Sequence, residues 1–160
     1  MKLALEVRGL ADVVQQVARV SPAIGRRVAA AVLRAARAVR AEARARAPVF
    51  MGVLRRRISV RSVRTAGFTL AASVRPTAPH AHLVERGRRP GRMPDRRDPR
   101  FTAYAERLGV APFVLARAIG ARGTRPHPFW EPAVQAALPR VEQIIREGVA
   151  QALEEVRGGA

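Results

Sequence analysis

Cysteine and asparagine are absent from this 160-residue chain, lysine occurs once, and aromatic residues make up only 4% of it. Without cysteine there is no disulfide scaffold, no thiolate zinc site and no cysteine nucleophile. No run of about 18 apolar residues occurs, so no membrane-spanning helix is expected. The N-terminal stretch MKLALEVRGLADVV is interrupted by Glu6, Arg8 and Asp12 and lacks the unbroken apolar core of a signal peptide. The expectation is a protein made in a reducing cytoplasm and kept there, or in a particle assembled there.

What is present is small apolar residues and arginine. The hydrophobic fraction is 48%, supplied mostly by Ala and Val, which favours helices packed through small side chains. The length suits one domain with a real core and is short for two. The formal charge is +18, from 30 basic and 12 acidic residues. Such an excess attracts polyanions. GC-rich coding also enriches Arg and Ala, and the lack of Asn and Cys fits a heat-adapted host.

Alternation of Leu3, Leu5 and Val7 predicts a short strand, followed by a short helix from about Leu10 to Val20. Ser21-Pro22 is a helix-start signal, a capping serine with proline at the first helical position. From there to about Ala45, the positions Ile24, Val28, Val32, Ala35, Val39 and Ala43 recur at helical spacing and share one face. Arg26, Arg37, Arg40 and Arg44 fall opposite, flanked by Arg27 and Arg34. Leu33 projects among these arginines, either as a contact outside the monomer core or as a single exposed leucine. Pro48 and Gly52 close the helix. LRRRISVRSVR and FTLAASVR, separated by a turn at 65–67, predict an antiparallel hairpin with Phe68, Leu70, Ala72 and Val74 on one face.

Beyond Pro76 and Pro79, HAHLVERG reads as a short helix or a strand end. Residues 88–100 have the charge, Pro and Gly content of an exposed flexible loop. FTAYAERLG and APFVLARAIG are two short helical patterns, each ended by a glycine. The C-terminal segment from about Glu131 to Val156 places Val134, Leu138, Val141, Ile144, Ile145, Val149, Leu153 and Val156 on one stripe, with Pro139 marking a kink or a late start. Residues 157–160 read as a disordered tail. The expected fold is therefore α+β in one domain spanning 1–160. A long N-terminal helix and a C-terminal helix pack on a small antiparallel β-sheet, with an inserted loop and short helices.

Chemistry finds few footholds. His80 and His82 share a face if extended, but zinc needs three or four ligands, and Glu85 and His127 stand at no recognisable spacing. Asp95 and Asp98 sit in a proline-broken loop, and Glu154-Glu155 are adjacent on a helix and point apart. There is no phosphate-cradling glycine loop and no Gly-x-Ser-x-Gly elbow, and serine is scarce. An enzyme is not expected, nor a metal, cofactor or small-molecule substrate. Between Arg19 and Arg64 stand thirteen arginines against one acid, Glu42. That face would track phosphates non-specifically, with strong salt dependence, since no base-reading motif or stacking aromatics accompany it.

Three ordered stretches carry a resemblance. RAPVFMGVLRRRIS has Ala47, Pro48, Gly52, Leu54 and Ile58 in a helix-end pattern; HAHLVERG has Ala81, Val84, Glu85 and Gly87; ARAIGARGTRPHPFWEPA has Gly123, Pro126, Pro128, Phe129 and Ala133. Together they resemble the neck and tail-completion (head–tail joining) proteins of long-tailed bacteriophages, the gene-product-ten-like family. Phe50 and Met51 stand where the family has a polar residue and Thr, and His80 and Arg86 replace its usual aromatics. The resemblance implies a non-enzymatic virion protein that assembles as a homo-oligomeric ring with other phage neck and tail proteins, and it implies no catalytic residues. The arginine face (Arg26, Arg37, Arg40, Arg44, with Leu33) then meets an acidic neighbour or double-stranded DNA.

GTRPHPFWEPA itself reads as a clamp. Gly123 ends the preceding helix or turn, Pro126 and Pro128 hold the chain extended, and Phe129 and Trp130 dock the last helix on the sheet. His127 is a spacer between prolines. Adjacent residues on an extended chain point opposite ways, so one of the two aromatics is expected to face a neighbouring subunit.

Overall fold

Residues 3–5, 22–65 and 68–158 are described by the computed structural model. The expected helix at 10–20, the capping serine, the tip of the hairpin and residues 159–160 lie outside these. Two units organise the chain, Met1–Pro79 with Phe129–Ala160 and, separately, His80–Pro128.

In the first unit the longest regular patterns fold as their spacing dictates. Helix α1 (Pro22–Arg46) begins at its proline, whose missing N–H is no loss in a first turn, and ends with Arg44 and Arg46 beside the negative end of its dipole. Every residue of the apolar face is buried, and so are Gly25, Ala31 and Ala36 beside it. The buried arc is thus wider than one stripe, and α1 packs against both β3 and the final helix.

Among the described residues the sheet has three strands in the order β1-β3-β2, with β1 (Leu3–Leu5), β2 (Ile58–Thr65) and β3 (Phe68–Pro76) all antiparallel. Val74 pairs with Val60 and Leu3, and Ala72 with Ser62 and Leu5. Ala72, Val74 and Ile58 are buried, while Arg61 and Ser62 on β2 are exposed. Ser73, on the opposite parity, is nevertheless shielded because β3 is the central strand, with Arg61 and Ala4 in register on either side. The stretch expected to be extended from Leu54 is not so at its start. Val53–Arg56 forms a single helical turn, α2, which buries Leu54, and pairing begins only at Ile58. The backbone N–H and the hydroxyl of Thr77 both donate to the Arg57 carbonyl, at 2.7 and 2.8 Å, and so tie the two ends of the hairpin together.

Helix α6 (Trp130–Gly158) runs through Pro139. Its buried side departs from the expected aliphatic stripe. Ala133, Ala137, Val141, Gly148 and Ala152 are buried, whereas Leu138 and Leu153 are 37% and 52% exposed. The reason is distance. A Cβ added at Gly148 would lie 2.3 Å from the Cβ of Ala31, so the two helices meet almost backbone to backbone. Only small residues fit at that crossing, and Leu138 and Leu153 turn to its flanks.

The second unit contains α3 (Ala81–Arg86), α4 (Pro99–Arg107) and α5 (Pro112–Arg122). Asp98 caps α4, its carboxylate accepting from the Arg100 N–H at 2.8 Å, and Asp95 accepts from the Arg97 N–H at 2.9 Å. Both carboxylates thus serve the backbone of their own loop. Helix α5 passes Gly120, the expected terminator, and stops at Gly123 instead.

The seam yields a test. Gly148→Ala gains about 1 kcal/mol of helix propensity but overpacks a contact whose relief typically costs about 1–3 kcal/mol. We expect a net loss of about 1 kcal/mol, read as a lower urea midpoint with unchanged slope. A midpoint at or above that of the parent contradicts the close crossing.

Candidate assembly surface

On α1 the separations 26, 33, 37, 40 and 44 bring Leu33 and its four arginines onto one strip. Arg26 and Arg37 are exposed; Leu33, Arg40 and Arg44 are half-buried. Arg44 is partly spent on the fold, since its Nη2 donates to the Ile58 carbonyl at 3.3 Å and its Nε is buried. The strip available to a partner is therefore shorter than the sequence implies, with Leu33 at its middle.

A second cationic strip on α1 lies towards α6. Arg27 forms an ion pair with Glu155, both side chains about half exposed, an arrangement worth about 0.2–1 kcal/mol. Further along, Arg34, Arg37, Ala38 and Ala41 from α1 and Arg140, Gln143, Ile144 and Glu147 from α6 line an open groove of about 530 Å³. The only acid in it, Glu147, accepts a hydrogen bond from Gln143 Nε2 at 2.8 Å. Sequence reasoning found Arg37 here but not Arg34, Arg140 or Ile144 as a group. The signal for them was the small-residue ridge of α6, which fixes how the helix is rotated.

The other residues singled out by their motifs are placed as follows. Pro48 is exposed just past the end of α1, Gly52 is left-handed before α2, and Leu54 is buried. Within the second unit, the VERG and GTRPHP stretches meet in an antiparallel bridge between Arg88 and Thr124. Their N–H groups donate to each other's carbonyls at 3.1 and 2.8 Å, and the His127 N–H donates to the Val84 carbonyl at 2.7 Å. Val84 is half-buried and Glu85 is 7% exposed. Two glycines make this crossing fit. A Cβ on Gly87 would lie 2.5 Å from the Thr124 carbonyl oxygen, and one on Gly123 would lie 1.9 Å from that of Arg88. Both have positive φ, 70° and 73°. The motif positions are thus backbone requirements. Pro126, His127 and Pro128 are exposed, carrying the chain on from the bridge.

In the first unit, Phe129 and Trp130 are 1% and 5% exposed, and Ala133 is fully buried. The expectation that one aromatic faces a neighbour is corrected. The helix already begins at Trp130, and the Ala133 N–H bonds to the Phe129 carbonyl at 3.3 Å. The alternation of an extended chain has ended, so the two rings are not forced apart.

Among the described residues, no group of three or more His, Asp and Glu is placed to hold a metal ion, and no helix is long and apolar enough to cross a membrane. Residues 11–87 match the HK97-gp10-like family model, described as "Bacteriophage HK97-gp10, putative tail-component". The match includes the first two motif stretches and ends at Gly87, before the third. No curated protein and no solved structure matches the chain.

The bridge makes its own prediction. Gly123→Ala places a methyl group against a backbone carbonyl that cannot swing away, in a left-handed conformation, and should cost about 2 kcal/mol or more within the second unit. Gly109→Ala, at φ +67 with nothing within 4 Å, carries only the conformational cost of about 1 kcal/mol. Trypsin should therefore cut the 86–97 segment faster in the first variant than in the second. Equal rates contradict the bridge.

Proposed function

We propose, on the premise that residues 11–87 belong to the HK97-gp10-like family of bacteriophage tail components, that the protein is a structural subunit of the phage neck or tail end. It completes the tail or joins it to the head, and it assembles there as a homo-oligomeric ring. The family match is the observation that carries this reading. In it the protein is a non-enzymatic part of the virion. Its partners are other neck and tail proteins and further copies of itself.

Physical features support the role. A ring subunit needs a rigid body, a face for its neighbours and segments that meet the next component. The tight α1–α6 seam supplies the first. Leu33 among arginines on α1 offers the second, and the exposed stretch 89–98, with only Pro94 half-buried, offers the third. A second reading is favoured by the charge of +18, in which exposed arginines such as Arg26 and Arg37, with the half-buried Arg40, contact double-stranded DNA without reading its sequence.

Disrupting the gene in the parent phage tests the main reading. DNA-filled heads and separate tails should accumulate, and adding the purified protein should join them into infectious particles. Joined, infectious particles formed without the protein contradict it. For the second reading, duplex affinity should fall steeply as salt rises from about 50 to 200 mM. No binding at the lower salt removes it.

A further inference from the structure

The groove between α1 and α6 has a chemistry of its own. It is lined by the apolar side chains of Ala38, Ala41 and Ile144 and by three arginines, Arg34, Arg37 and Arg140. Elsewhere on the same helices arginines have found acids, Arg27 with Glu155 and Arg46 with Glu42. Arg34, Arg37 and Arg140 make no ion pair or hydrogen bond among the described residues, and the one carboxylate beside them is already engaged by Gln143. A guanidinium recognises a carboxylate through two parallel hydrogen bonds, and its aliphatic stem extends an apolar floor.

We propose that this groove seats an acidic amphipathic helix of a neighbouring virion protein, with its carboxylates on Arg34, Arg37 and Arg140 and an aliphatic side chain on Ala38, Ala41 and Ile144. Charge complementarity selects this occupant. A second copy has few acids to offer these three guanidinium groups, 12 acidic residues against 30 basic ones in the whole chain. A DNA backbone gains nothing from Ile144, whereas an amphipathic helix covers it with an aliphatic side chain. The inference deepens the assembly reading by giving the chemistry of one contact. It is tested on the isolated full-length chain, so its failure leaves ring formation and head–tail joining untouched.

The probe is a synthetic helical peptide with Glu and Leu on one face, read by fluorescence anisotropy at about 150 mM salt, where diffuse attraction is screened beyond about 8 Å. The comparison peptide has Gln in place of Glu. The double variant R34Q/R140Q removes two charges from the groove, and R89Q/R92Q removes two exposed charges from the second unit, both pairs being checked for unchanged thermal unfolding. The Glu peptide should bind at least about tenfold more weakly to R34Q/R140Q, a change of about 1.4 kcal/mol, and be nearly unaffected by R89Q/R92Q. Duplex DNA should lose affinity equally in both variants. Equal weakening of the peptide by both variants overturns the proposal, as does equal binding of the Gln peptide. A duplex that is weakened by R34Q/R140Q alone would overturn it in favour of nucleic acid.

Discussion

The contact between Ala31 and Gly148 is the constraint on which the first unit depends. A Cβ at position 148 would lie only 2.3 Å from that of Ala31, so helices α1 and α6 cross there at a separation that leaves no room for a side chain. The seam is accordingly built from Gly and Ala, with Val141 in line and Ile24, Val28 and Ala152 closing one end. Each alanine buries less apolar area than a leucine would, at about 25 cal/mol per Å². Close packing and many dispersion contacts compensate. The few large anchors, Phe129, Ile58 and Val39, are fully buried. A chain with 4% aromatics has to hold its core together in this way.

The same constraint shapes the surface. Since the seam has no room for Ile144, Leu138 or Leu153, these turn outward along its flanks. Ile144 thereby lines the groove together with Arg34, Arg37 and Arg140. On α1 the arginines divide between two strips, one towards α6 and one around Leu33. Arg44 and Arg55 bend back onto the carbonyls of Ile58 and Ala45 and so belong to the fold as much as to the surface. The large positive charge is thus not a uniform coat. It is partly absorbed by caps and ion pairs and partly held in places where apolar and cationic groups adjoin, as a protein partner requires.

How far the sequence revealed this depended on the range of each interaction. The face of α1 was legible because six apolar positions recur at helical spacing and all are buried. The hairpin and the α+β class were legible from alternation and turn residues. The buried ridge of α6 was not, because weighting Leu, Ile and Val over Ala selects the wrong side of a helix that packs through small residues. The two aromatics were misjudged for a related reason: their orientation depends on where the helix begins, and an expected start at about Glu131 left both on the extended chain. The crossing of VERG with GTRPHP joins residues 36 apart (Arg88 and Thr124), and nothing in either stretch announces the other. Their glycines were visible as motif positions, but the carbonyls that require them were not.

Native-state hydrogen exchange measures directly whether the α1–α6 seam is the most tightly held part of the first unit. Amides from Ala31 to Val39 of α1 and from Val141 to Gly148 of α6 should exchange together, and only through global unfolding. Exchange of α6 through a smaller opening while α1 and the sheet stay protected would contradict this, because the seam would then be an attachment to the fold and not its foundation.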